Sequence, residues 1–456
     1  MEADRAIEHL AHGGYARTDL DAAAFAQASA PPASRKIILA TIGSLGDLHP
    51  FIALGLSLQA RGFHVILAVP QDHVGKVTRA GLAAVAIMPR FETIWADMGL
   101  TQAEAIRRII EDQDFMIRRI AIPAIDEGVR ALDAIAADAC AIVGSLFALA
   151  APIVAEKRGI PLIPAFLQPM TVFSAYDPPV GQKYGTIAEP ARIPSRMWNR
   201  ACFRIVRLET RRRYAALINR ARAAHGLARQ ASTPILDMEA AHALRLGLYP
   251  AFFAPPQPDF PGNFDHVGFP LLDAGADSGT ALDPAFERFL ADGPAPLVFT
   301  LGSLVTACPR DFYRESADLA RALGMRAVLL TGGAHATASR DIIVRDYAPH
   351  ALIFPRAAAI IHHGGIGTTA QALRAGVPQL VVPHMGDQID NAARIARLAV
   401  GQRIDAARYT AVKAAPVLAQ LLRDDLLRER ARALAVAMQS QNGAEDAAQA
   451  IETALG

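Results

Sequence analysis

Three glycine-containing loops hold the residue types that could do chemistry. One reads Thr41-Ile42-Gly43-Ser44-Leu45-Gly46-Asp47-Leu48-His49-Pro50. Its glycines permit a tight turn and close approach of a ligand to the backbone. Asp47 stands where an apolar run gives way to a helical pattern, so it can cap that helix or act as a general base. Spacing alone does not choose between them. The loop lacks the Gly-x-Gly-x-x-Gly spacing of dinucleotide binders, which counts against a nicotinamide enzyme. A second loop, Leu301-Gly302-Ser303, sets a small hydroxyl after a glycine and suits a phosphate contact. The third, Ile361-His362-His363-Gly364-Gly365-Ile366-Gly367-Thr368-Thr369, ends an apolar run and opens a helical one. Backbone N–H groups and the helix dipole make such a terminus a site for a diphosphate, with a histidine as a further donor. Neighbouring strand residues point opposite ways, so His362 and His363 are poorly placed to share one metal. Further on, His384-Met385-Gly386-Asp387-Gln388 sets an acid beside an amide, a pairing suited to sugar hydroxyls.

Positioning these loops takes an alternating frame. An apolar run at 36–42, a turn, a helical pattern at 51–61 closed by Gly62, and a second run at 64–69 make a βαβ unit with a parallel sheet. The rhythm continues to residue 166, an Arg-rich helical stretch spans 194–229, and a second alternating set begins at 296–301. The expected fold is therefore α/β, with two facing, doubly wound, Rossmann-like parallel-sheet domains. Ligands would bind outside the carboxyl ends of the strands, in the cleft between the domains. The boundaries read as an N-terminal extension at 1–34, an N-terminal domain at 35–272, a linker at 273–284, a C-terminal domain at 285–438, and a last helix at 439–456 returning to the first domain.

Composition narrows the function. A net charge of +2 over 456 residues gives no general reason to expect nucleic acid as a partner. Three separated cysteines, Cys140, Cys202 and Cys308, fit neither a disulfide framework nor a zinc site and suit a reducing cytoplasm. Glu2, Asp4, Arg5 and Glu8 interrupt any secretory signal. The charge-free stretch 139–155 falls short of a membrane span and reads as a strand at 141–144, a turn and a core helix. The lone Asp-x-Asp, Asp112-Gln113-Asp114, reads as solvated surface rather than a metal site. Arg192, Arg196, Arg200 and Arg204 recur every four residues with Trp198, Phe203, Ile205 and Val206 between them. They form either a solvated helix face or a peripheral contact with anionic lipid on the inner face of a membrane.

Taken in order, the motifs resemble those of family-1 glycosyltransferases of the GT-B fold, from Lys36 to the C-terminus. Gly46-Asp47-Leu48-His49-Pro50 resembles the family's Gly-(Asp/His)-x-x-Pro, and His363-Gly364-Gly365-Ile366-Gly367-Thr368 its donor signature. The likeness continues through Ala375-Gly376-Val377-Pro378 to Asp387-Gln388 and Asn391. It implies Asp47 as the general base that deprotonates the acceptor hydroxyl. It implies that His363, Gly365, Gly367, Thr368 and Ser303 hold the diphosphate, that Tyr347-Ala348-Pro349 stacks on and bonds the base, and that Asp387 and Gln388 hold sugar hydroxyls. The donor would be a UDP- or dTDP-hexose of the glucose or rhamnose class, transferred with inversion to a small lipophilic acceptor without metal or other cofactor. Within the family the segments 144–149, 253–257 and 296–300 look most like bacterial rhamnolipid rhamnosyltransferases and related lipid or sterol enzymes.

Departures from the family pattern sharpen the expectations. Plant members use a first-loop histidine tuned by a later aspartate; Asp47 and Ser145 stand at those places, so Asp47 must act alone and Ser145 lines the acceptor side. Gln371 replaces the glutamate that often holds the ribose hydroxyls. The segment 166–184 is rich in aromatic residues, prolines and glycine, and reads as a loop carrying Phe173 and Tyr176 to the acceptor, or else as core packing. Two other classes compete: a nucleotide-sugar epimerase of the same fold, and a non-catalytic protein that only binds donor.

Overall fold

Runs such as Leu297-Val298-Phe299-Thr300 and Ala327-Val328-Leu329-Leu330 carry no charge and are buried along their whole length. Strands covered by helices on both faces demand this pattern. The computed structural model describes residues 35–181, 193–236, 242–272, 281–306, 309 and 311–456. The extension 1–34, the core of the linker at 273–280, Cys308, Tyr184 and Arg192 lie outside the described residues. The chain divides into two units. One holds residues 35–101, Asp112–Pro270 and Asn442–Gly456, and the other Gln102–Glu111 and Leu271–Gln441.

In the N-terminal unit seven parallel strands are β1 (Lys36–Ala40), β2 (His64–Pro70), β3 (Ala83–Met88), β4 (Ala139–Ser145), β5 (Leu162–Phe166), β6 (Arg245–Gly247) and β7 (Phe264–His266). Their order is β3-β2-β1-β4-β5-β6-β7. In the C-terminal unit six parallel strands are β8 (Leu297–Thr300), β9 (Ala327–Leu330), β10 (Ile342–Arg345), β11 (Ala359–His362), β12 (Gln379–Val381) and β13 (Gly401–Arg403). Their order is β10-β9-β8-β11-β12-β13. Each sheet reverses direction once, between β1 and β4 and between β8 and β11. Such switch points open a crevice at the strands' carboxyl ends. Side-chain alternation sorts the β8 residues between two cores: Leu297 and Phe299 join one, and Val298 joins the other.

Three readings change on the structure, and that of the charge-free stretch stands. Helix α1 (Leu45–Ala60) starts six residues before the expected 51 and carries Pro50 inside it. Ser44 begins it as N-cap, with Asp47 as the reciprocal acceptor, and this capping box outweighs the proline. The charge-free stretch holds β4, a turn and helix α2 (Ala150–Arg158), which ends at Gly159 with φ of 64°. The Arg-rich helix α3 (Ile193–Ala224) stops five residues early, where Gly226 turns with φ of 79°. Asp114 is only partly exposed; it accepts from the Tyr214 hydroxyl and pairs with Arg118 at 3.1 Å. It is a packed residue rather than a solvated one. Among the described residues no helix is long and apolar enough to cross a membrane.

Candidate active site

In the N-terminal unit the chemistry collects at the β1/β4 switch point. Gly43, with φ of 134°, lets the chain leave β1 in a turn that only glycine takes readily, and a Cβ there would collide with the Asp47 carboxylate. Asp47 Oδ2 accepts from the Ser44 N–H at 2.9 Å and the Ser44 hydroxyl at 3.3 Å. Among the described residues Asp47 Oδ1 has one hydrogen bond, from the Gln168 amide at 3.4 Å. Burial pushes the Asp47 pKa above the ordinary carboxylate value, against the opposing bonds from Ser44 and Gln168 and the charge of His73. The structure shows Asp47 in the capping role, through one oxygen, and leaves acceptor capacity on the other. A carboxylate with a raised pKa is also a stronger base.

Beside it, the register Ala40↔Gly144 sets Thr41 and Ser145 on adjacent strand ends. Both are buried, and neither hydroxyl has a hydrogen-bond partner among the described residues. Gln168, Thr41 and His73, whose Nε2 lies 2.8 Å from the Gly43 carbonyl, are members that spacing did not reveal. Ser44 was legible: Ser-x-x-Asp before an apolar helix is a capping signature.

The loop after β5 is anchored rather than open. Asp259 accepts from the Ser174 hydroxyl at 2.6 Å and the Ala175 N–H at 2.7 Å. Phe173 stacks on Phe203 of α3 with centroids 4.9 Å apart, and the Arg196 guanidinium lies 4.4 Å over the Tyr176 ring. Both rings remain half-exposed. The structure therefore ties Phe173 and Tyr176 to the long helix and groups Ser145 with Asp47 at the switch point.

In the C-terminal unit the residues gather at the β8/β11 switch point. His363 follows β11, and its ring sits between two glycines. A Cβ on Gly302 would meet His363 Cε1 at 2.5 Å, and one on Gly365 would collide with Nε2. Burial holds the His363 imidazole neutral, its pKa well below the ordinary value, with three further histidines opposing a charge. Its Nδ1 has no partner among the described residues. Helix α4 (Ile366–Ala375) begins immediately after, with Gly365 as an N-cap that offers no side chain. The first-turn N–H groups of Ile366, Gly367 and Thr368 therefore remain available to an anion.

His362 does a different job. Its Nε2 lies 3.0 Å from Gln379 Oε1, and its Nδ1 accepts the Gly364 N–H at 3.1 Å, so it is the Nε2–H tautomer. The two imidazoles stand 6.4 Å apart at 86°, facing separate partners. Asn391 completes the brace, donating to the Gly364 carbonyl at 2.9 Å and to Asp387 Oδ2 at 3.0 Å. Helix α5 (Asp387–Arg397) places Asp387 in its first turn. Gln388 is buried, and its Oε1 accepts the His384 and Met385 N–H groups at 2.9 and 3.2 Å. Any sugar contact from Gln388 must then come from its amide nitrogen. Ser303 is exposed after β8. Tyr347 is exposed after β10, whereas the Ala348 side chain is buried and can offer only backbone. Among the described residues no group of three or more His, Cys, Asp or Glu could hold a metal ion.

Comparison with known proteins identifies this architecture. Residues 37–176 match the glycosyltransferase family 28 N-terminal domain, and 334–454 match the erythromycin biosynthesis protein CIII-like C-terminal domain. A vancomycin aglycone glucosyltransferase of Amycolatopsis orientalis is 32% identical over 413 residues, covering 88% of this chain and 93% of that one. Among solved structures, the glycotransferase of kitacinnamycin superposes with a TM-score of 0.66 at 22% identity, covering 94% of this chain and 100% of its own. The glycosyltransferase VinC in complex with dTDP does so with 0.64 at 18%, covering 92% and 99%. At those identities the two structures bear on the fold alone. The protein is a glycosyltransferase whose two parallel-sheet units have the GT-B architecture. It belongs to the family-1 GT-B glycosyltransferases, among enzymes of antibiotic and natural-product type, and these relatives do not favour the epimerase reading.

Proposed function

We propose that the protein transfers a hexose from a UDP- or dTDP-sugar to a hydroxyl of a small lipophilic acceptor, with inversion and without a metal. The observation that carries this is Asp47, with one oxygen fixed in a helix cap and the other left to accept a proton. Asp47 Oδ1 takes the proton of the acceptor's hydroxyl as the acceptor oxygen bonds the anomeric carbon. The bond from that carbon to the diphosphate breaks, and the nucleoside diphosphate leaves with the electron pair. One displacement from the opposite side inverts the centre. His363 and the first-turn N–H groups of α4 stabilise the charge gathering on the diphosphate, and Asp387 with the Gln388 amide nitrogen orients the sugar. The name of the vancomycin relative, a glucosyltransferase, supports transfer of a hexose. Thr41 and Ser145 would meet the acceptor near its reacting hydroxyl, with Phe173 and Tyr176 contributing their half-exposed faces.

The test is transfer and donor hydrolysis with UDP- and dTDP-sugars against a panel of hydroxylated acceptors of graded chain length, with and without chelator. Wild type should transfer equally well in chelator and should favour apolar acceptors. Asp47→Asn should lower turnover about 10²–10⁴-fold with donor affinity nearly intact. Near-normal turnover in that variant leaves Asp47 a cap only. A preference for free sugars rejects the lipophilic acceptor, and loss of activity in chelator rejects the metal-free mechanism.

A further inference from the structure

Helix α3 presents an exposed apolar stripe that the transfer chemistry does not use. Met197 is 67% exposed, Trp198 55%, Ile205 67% and Leu208 55%, half of the large exposed hydrophobic residues among those described. At 100° per residue these four and the exposed Ala201 fall within a single arc of the helix. Its opposite side holds Asn199, Phe203, Thr210 and Tyr214, all buried in the unit. Exposed Arg200, Arg204 and Arg212 border or enter the stripe. The helix carries nine arginines and one acid, Glu209, which pairs with Arg213 at 2.6 Å.

We propose that this face of α3 docks on an anionic lipid bilayer, with Met197, Trp198, Ile205 and Leu208 entering the interface and the arginines meeting the headgroups. Apolar side chains edged by guanidinium groups suit a surface that is apolar inside and negative outside. Tryptophan favours that boundary, and arginine extends its charge outward from a buried stem. A second copy is a poor occupant, because a two-fold contact would set the arginine-rich face against itself. The helix also holds the loop that follows β5, through Phe203 on Phe173 and Arg196 on Tyr176. Docking would therefore hold that loop beside the phase in which a lipophilic acceptor dissolves. This last step rests on the proposed acceptor class; the docking itself does not.

The experiment is vesicle flotation without substrates, comparing phosphatidylcholine with phosphatidylcholine containing about 30% phosphatidylglycerol. Wild type should float with the anionic vesicles only, and added salt should weaken the binding. Trp198 emission should shift to the blue and be quenched by brominated acyl chains, whereas Trp95 is buried and stays insulated from lipid. Ile205→Asp should abolish flotation, and Ile205→Leu should retain it. Arg204→Gln with Arg212→Gln should weaken binding roughly 25-fold at low salt, about fivefold for each charge. All variants should keep the wild-type thermal midpoint and the wild-type calorimetric affinity for UDP or dTDP, since the altered side chains are exposed. That calorimetry fails independently if the donor reading is wrong. Absence of flotation, flotation unaffected by Ile205→Asp, or a wild-type dimer that Ile205→Asp makes monomeric would each overturn the proposal.

Discussion

Asp47 shows how little separates a structural carboxylate from a chemical one. Oδ2 is committed to Ser44, and among the described residues Oδ1 is bonded by the Gln168 amide alone, at 3.4 Å. Burial raises the pKa, and the Gln168 bond opposes that rise. Replacing Gln168 with leucine removes a donor to the ionised form and adds apolar surface, so the pKa of Asp47 should climb further. The proposed mechanism needs the ionised carboxylate, so on it activity falls as pH drops through that pKa. The acid limb of kcat/KM should therefore move to higher pH in Gln168→Leu, with much of the lost rate recovered on the alkaline side. A rate loss equal at every pH would show that Gln168 only shapes the loop. Asp47→Asn, by contrast, should have no alkaline recovery.

Elements decide which of these residues sequence could show. The alternation of apolar runs and helical patterns disclosed two parallel-sheet units, because strands buried on both faces carry a continuous apolar signal. The glycine loops were legible too, since Gly43, Gly302 and Gly364 take positive φ and Gly365 stands against the His363 ring. What stayed hidden depends on sheet order. Gln168 lies 121 residues from Asp47 and reaches it because β5 pairs with β4, and β4 with β1. The anchoring of Ser174 by Asp259 spans 85 residues and is equally silent in sequence. Helix α1 begins at Leu45 rather than 51 because the Ser44–Asp47 capping pair starts it ahead of Pro50. The glycine frame around His363 gives a direct test at this scale. Gly365 has ordinary backbone angles, φ −60° and ψ 143°, so alanine is unstrained there except against the imidazole. Gly365→Ala should displace the ring and weaken nucleoside diphosphate binding roughly 10–100-fold, the loss of one hydrogen bond to a charged group. In a His363→Ala background the same change should cost much less, because the ring is already gone. Additive losses, measured by calorimetry in a double-mutant cycle, would contradict the frame.

Across the whole molecule, buried histidines and paired carboxylates should respond to acid in separate windows. Burial lowers the pKa of His362 from 6.5 to about 4 and that of His363 well below 6.5 in the C-terminal unit, and it takes His266 to about 4 in the N-terminal unit. For a group depressed in the fold, the unfolded chain binds the proton first. Its stabilising contribution is complete above pH 6.5 and drains as pH falls toward 4. For His362, which is fully buried, the full shift corresponds to about 3 kcal/mol. Asp283, bonded by Arg345, is held at about 2 and loses its contribution only below the ordinary carboxylate value of 3.8. Asp47 runs the other way: its pKa is raised, so the cost of ionising it is relieved as pH falls, partly offsetting the histidine loss. Thermal unfolding followed by circular dichroism should therefore show a midpoint that drops between pH 6.5 and 4, with a second fall below pH 4. His266 tests the assignment because its Nε2 is buried without a hydrogen-bond partner among the described residues, so an apolar replacement removes the titration and strands no bonded group there. His266→Leu should flatten the first window by about one proton in the slope while leaving the second in place. A midpoint level from pH 7 to 4.5 in wild type, or an unchanged slope in His266→Leu, would remove the histidines from the account and leave acid sensitivity to the carboxylates.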